Sequence, residues 1–134
     1  MTQVHGLERR GSLVNIYGFD AVGSAGLGLI FATMAPFIVE WLGISLPPVA
    51  VVWLGISLIA WAVFNAICAR LSSLPDAMYR VHLAVDWGWV LASLVLVTFD
   101  FANLTLAGVF LVPGVALFVA GIILTKMWMQ KRNA

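Results

Sequence analysis

The chain has 134 residues, of which 63% are hydrophobic and only 10% charged, with a mean hydropathy of +1.05. A soluble domain carries about 25% charged residues, and a net charge of +1 leaves no excess for phosphate, so a soluble enzyme, a disordered chain and a nucleic-acid binder are all excluded. A single cysteine excludes an intrachain disulfide and a thiolate metal cluster, which leaves an integral membrane protein.

Within hydrocarbon every peptide group must find its partner inside the protein, and the continuous apolar runs here favour helices over barrel strands. Residues 1–15 read as a polar segment, carrying His5, Arg9 and Arg10. The first span, 18–39, is uncharged from Ala21 to Val39. It reads as an uncleaved helix, because its apolar run is long for a signal core and Ala35, the end of the candidate cleavage site, is followed by Pro36. The second uncharged run, Trp41 to Ala69, is divided by Pro47 and Pro48, which suit a turn and a first helical turn, so the second span is placed at 48–69. The third span, 79–99, contains Asp86. The fourth, 104–126, is uncharged from Phe101 to Thr125, and a basic tail follows at 127–134. Residues 16–128 thus form one transmembrane domain.

Short connections make each helix antiparallel to its predecessor. The fold class expected is all-α, an integral membrane up-down four-helix bundle. All seven basic residues (Arg9, Arg10, Arg70, Arg80, Lys126, Lys131 and Arg132) fall on one side, which places both termini in the cytoplasm. Tyr17, Trp41, Trp53, Tyr79 and Trp128 near the span ends read as interfacial anchors. The string WLGISL occurs at 41–46 and again at 53–58; one copy falls in a connection and the other in a span, so the copies cannot share a structural role.

Polar residues inside the spans carry the functional signal, since they are costly in lipid and face the bundle interior. Asp86 and His82 are four residues apart on one face of span three, continued by Trp89, Ser93 and Asp100. Span two carries Trp53, Ser57, Trp61 and Asn65 at intervals of four. Span one carries Asp20, then Ser24, Gly28 and Ala32, a small-residue seam suited to close helix packing. The candidate polar pocket is therefore Asp20, Asn65, His82, Asp86 and Ser93, with Asp86 as its charge; the alternative is interhelical glue, in which Asp86 accepts from His82, Asn65 or Arg70 and nothing more follows. Trp53, Trp61 and Trp89 are the candidate aromatic lining. Gly114, Gly121 and Thr125 form a narrow face on span four, and Pro113 is placed to bend it.

Only His82 among the histidines lies at membrane depth, so paired-histidine haem ligation is not supported. A site of His82, Asp86 and Asp20 lacks a metal-binding motif, and no metal is assigned. No phosphate loop, hydrolase elbow or zincin motif is present, so no catalytic residue and no cofactor is implied and enzyme activity is not expected.

The segment LGISLIAWAVFNAICARL, a short linker and RVHLAVDWGWVLASLVL together resemble a group of small uncharacterised four-span bacterial membrane proteins. In that group the third span carries Asp or Asn followed by Trp-Val-Leu-x-Ser, matched here by Asp86, Trp89, Val90, Leu91 and Ser93. The resemblance covers about a third of the chain, from Leu54 to Leu96. It implies a bacterial inner-membrane location and no particular chemistry. The leading expectation is a non-enzymatic accessory or scaffold subunit, packing against other membrane proteins or itself through the seam and the glycine face of span four. Alternatives are a small transporter or proton-coupled carrier using Asp86 with His82, or a binder of lipid, quinone or pigment among the tryptophans.

Overall fold

The computed structural model describes residues 2–133, with side chains described from 16 to 132. Four helices follow in order, α1 (Thr2–Leu42), α2 (Pro48–Arg70), α3 (Asp76–Asp100) and α4 (Leu106–Asn133). Each is long and apolar enough to cross a membrane, and short connections set them up-down-up-down. The protein is a multi-pass membrane protein.

The helix ends follow from local chemistry. Gly43 terminates α1 with φ of 70°, a left-handed conformation that costs glycine nothing. Its amide and that of Ile44 both return to the Val39 carbonyl, at 3.0 and 3.1 Å. Pro47 precedes α2 in extended conformation, and Pro48 occupies the first turn, where its missing N–H is no loss. Pro75 plays the same flanking part for α3, whose first turn carries Asp76 against the positive end of the helix dipole. Thr105 caps α4 by accepting from the Gly108 amide at 3.2 Å. Lys131 and Arg132 lie in the last turn of α4, where cations offset the exposed carbonyls. Within α1 the helix kinks at Met34 (φ −120°, ψ 22°), two residues before Pro36, whose ring denies the ladder a donor.

The first three sequence-derived spans are contained in these helices and the fourth overlaps α4 from Leu106 onward, but the ends move. Helix α1 runs from Thr2 through the segment expected at 1–15, of whose side chains His5, Arg9 and Arg10 lie outside the described residues. Helix α3 starts at Asp76 rather than 79, and α4 starts at Leu106 and continues through the expected tail to Asn133. Hydropathy marks where lipid begins and ends, whereas a helix continues until a breaker stops it. The two WLGISL copies differ as expected: the first closes α1 and enters the loop, and the second lies inside α2.

The bundle is tightest between α1 and α2. A Cβ on Gly28 would lie 2.7 Å from the Gly55 carbonyl oxygen, and one on Gly55 would lie 2.6 Å from that of Gly28, so the backbones meet where both side chains are absent. Helix α4 touches α1 at the end away from the basic residues, where Gly108 sits against the Leu42 carbonyl. There the two loops are stitched together. Asp100 accepts from the Ser45 amide and hydroxyl at 2.5 Å each and from Asn103 Nδ2 at 2.8 Å. Thr105 donates its amide to Leu42 and its hydroxyl to the Trp41 carbonyl, at 3.0 and 2.6 Å. Helices α2 and α3 stand further apart, and the rings of Trp61, Phe64 and His82 fill the space between them. Outward faces are apolar: Phe99, Leu106, Val22 and Leu117 are each more than 70% exposed, as suits contact with lipid.

Candidate functional site

A buried ion cluster lies toward the basic end of the bundle. Helix α1 supplies Asp20, α3 supplies His82 and Asp86 one turn apart, and α4 supplies Lys126. Lys126 is 2% exposed, His82 0% and Asp86 5%. The lysine ammonium lies 2.7 Å from Asp20 Oδ2, 2.7 Å from Asp86 Oδ2 and 3.4 Å from His82 Nδ1. An ammonium has three hydrogens and no acceptor, so this geometry gives each hydrogen one acceptor. The Tyr17 ring lies under the same ammonium, at 5.2 Å.

Because lysine can only donate, His82 Nδ1 must be its unprotonated nitrogen. The ring proton then sits on Nε2, directed at Cys68 Sγ at 3.4 Å, and His82 is neutral. The imidazole is boxed by Tyr17, Trp61 and Phe64, with ring centroids 4.6, 4.8 and 5.1 Å away. Cys68 is fully buried behind it.

One ammonium faces two carboxylates, so with both acids ionised the cluster carries one uncompensated negative charge. Asp20 Oδ1 accepts from Ser24 Oγ at 3.2 Å. Among the described residues no donor reaches Asp86 Oδ1.

Above the cluster is a cavity of about 470 Å³ lined by all four helices, with Asp20 and Asp86 at its polar end. Its walls are almost entirely apolar and include Leu27, Leu58, Val115 and Ile122, with the rings of Trp61 and Trp89. The lining includes Val22 and Phe118, 75% and 55% exposed, so the cavity reaches the lipid-facing surface. The indole Nε1 of Trp89 is buried without a hydrogen-bond partner.

The sequence-derived candidates divide. Asp20, His82 and Asp86 converge as expected, but their common partner is Lys126, not Asn65 or Arg70. Lys126 reads in sequence as a surface cation ending span four; in the fold it turns inward onto Asp20 and Asp86. Asn65 is fully buried, yet it donates to the Trp61 carbonyl of its own helix at 3.1 Å and leaves Oδ1 unpartnered. Ser93 likewise returns to the Trp89 carbonyl, at 2.9 Å. Neither joins the cluster. Trp61 and Trp89 line the cavity, whereas Trp53 is 64% exposed and points away. Of the seam, Gly28 and Ala32 pack on Gly55 of α2, and Ser24 serves Asp20, so these residues are engaged within the chain.

Asp20, His82 and Asp86 also offer ligand atoms within 4.8 Å of one another, a spacing that suits a metal ion. The Lys126 ammonium stands at hydrogen-bonding distance from all three, so a tethered cation takes that place. Comparisons with protein-family models, curated proteins and solved structures find no match for this chain.

Proposed function

We propose that this protein is a small, non-enzymatic carrier of the bacterial inner membrane that couples solute movement to a proton held by the Asp20–Lys126–Asp86 cluster. The supporting observation is a lysine ammonium shared by two carboxylates at the polar end of a cavity inside the bundle. Well-packed apolar side chains stabilise a buried site as well as a balanced ion pair or better. The second carboxylate unbalances this one. In a low-dielectric interior the surplus charge is costly until a proton or another cation neutralises it. A group that must gain and lose a cation at membrane depth is what coupling requires.

The test is proteoliposomes under an imposed pH gradient, with a pH-sensitive dye inside, challenged with a panel of cationic, anionic and neutral solutes. Solute-triggered proton flux is expected, and Asp86→Asn or Asp20→Asn abolishes it in protein whose helicity is retained. Flux unchanged in both variants overturns the proposal.

A second reading, an accessory subunit packing against itself or another membrane protein, is favoured by α4. A Cβ on Gly114 or Gly121 would meet nothing within 4 Å. Both glycines are exposed, seven residues apart on one side of the helix, where a partner helix could approach closely. Gly114→Cys in a Cys68→Ser background then cross-links in native membranes. Only monomers, both there and by mass spectrometry from mild detergent, overturn this reading.

A further inference from the structure

We infer that the cavity binds amphiphilic monovalent organic cations, which exchange with a proton at Asp86. The inference rests on the carrier reading above and names its substrate class.

Charge selects the occupant first. Facing the cluster are Tyr17 and Asp20 from α1, Cys68 from α2, His82 and Asp86 from α3 and Lys126 from α4. With His82 neutral, Lys126 offsets one of the two carboxylates, and the remaining negative charge is single. Asp86 is 5% exposed, lines the cavity and keeps Oδ1 without a donor among the described residues. An anion is repelled by this charge, and a neutral lipid or quinone leaves it uncompensated. A monovalent cation neutralises it, and so does a proton, so the two compete for the same carboxylate.

The walls select the rest of the molecule. A hard inorganic cation wants about six or more oxygen ligands, and the cavity offers apolar side chains beyond its polar end. Lys126 already holds the position between the metal-spaced ligand atoms. An apolar body is welcome there, because about 470 Å³ falls within the roughly 300–1,000 Å³ of pockets that bury most of a drug-sized ligand. The indole rings of Trp61 and Trp89 in the cavity lining add attraction for a diffuse organic cation. Entry from the bilayer is available past Val22 and Phe118, a path a hydrophobic cation can take and a strongly hydrated one cannot.

The experiment uses the full chain in nanodiscs of neutral lipid, with tetraphenylphosphonium as the cation and tetraphenylborate as its isosteric anion. Calorimetry over a pH series, in buffers of different ionisation enthalpy, reads affinity and proton release together. Saturable phosphonium binding is expected, with about one proton released per cation and affinity falling up to about tenfold per unit of acidification where Asp86 is protonated. Tetraphenylborate shows no saturable binding. Asp86→Asn removes both the binding and its pH dependence. Where that variant fails to fold, Gly23→Leu fills the cavity at a position with nothing within 4 Å and removes binding without touching the cluster. Equal binding of cation and anion, pH-independent binding, or a co-purifying neutral lipid or quinone that phosphonium does not displace overturns the inference. Absence of phosphonium binding beside Asp86-dependent proton flux overturns it and leaves the carrier reading standing. Proton-coupled phosphonium binding with no flux of any solute supports this site and overturns the carrier reading.

Discussion

Lys126 is the residue on which the interior depends, because two helices send it a carboxylate and it answers both. Removing it leaves Asp20 and Asp86 facing each other across a low-dielectric interior. Breaking a buried pair in this way costs about 3–5 kcal/mol. Lys126→Met is therefore expected to unfold at much lower denaturant, read by helicity in mixed detergent micelles. Lys126→Met combined with Asp20→Asn and Asp86→Asn is expected to recover most of that loss, since the stranded charges are gone. Cys68, fully buried against the His82 imidazole, is expected to react with a small maleimide only as fast as the protein unfolds. Rapid labelling of the folded protein contradicts that burial. Asp20, His82 and Asp86 were legible in the sequence because ionisable residues inside a span are costly in lipid and turn to the bundle interior. Lys126 was not, because a lysine at a span boundary can snorkel to water, and only the fold shows two acids claiming it. Asn65 and Ser93 misled for the opposite reason: short polar side chains can satisfy themselves on the preceding turn of their own helix.

Pairs of helices meet where glycine permits it, and this separates the glycines into those that bear on packing and those that do not. A methyl group on Gly55 would lie 2.5 Å from the Ala32 nitrogen and 2.6 Å from the Gly28 carbonyl oxygen, both backbone atoms that cannot step aside. Gly55→Ala must push α1 and α2 apart and is expected to cost about 1–3 kcal/mol as overpacking. Gly88→Ala, on α3 with nothing within 4 Å, is expected to be neutral or to stabilise by up to about 1 kcal/mol through helix propensity. Both are read by the same unfolding assay, and similar costs for the two would show that α1–α2 contact is not what the Gly55 site protects. The small-residue spacing of Ser24, Gly28 and Ala32 announced a close-packing face, but periodicity cannot say whether the neighbour is within the chain or outside it. Gly55 on α2 answers that from the other side, and its partnership with Gly28 has no local signature. Span centres were legible from hydropathy, while their ends depended on breakers: Pro47 and Pro75 set α2 and α3, and α4 runs on to Asn133 because no proline or glycine follows Gly121.

Across the whole molecule the two ends are built differently. At one end Asp100, Ser45, Asn103 and Thr105 tie the loop after α1 to the loop after α3. At the other end α1, α2, α3 and α4 contribute Tyr17, Cys68, His82 and Lys126 to one interior, and the exposed Arg70, Arg80, Lys131 and Arg132 lie nearby. The bundle is clamped at one end by loop hydrogen bonds and joined at the other by Lys126, which ties α1, α3 and α4 together beside the cavity. The clamp depends on Asp100, the acceptor common to three of its hydrogen bonds, so Asp100→Ala is expected to speed amide exchange at Ser45 before it affects the cluster. The same asymmetry gives the topology its check. In a Cys68→Ser background, single cysteines at Ser73 and Gln130 are expected to react with an impermeant maleimide from one side of sealed vesicles. Cysteines at Leu46 and Ala102, in the opposite loops, are expected to react from the other side. Leu46 and Ser73 are separated by one helix, α2, so labelling of both from the same side would mean that α2 does not cross the bilayer, and the up-down order of the bundle would fail with it.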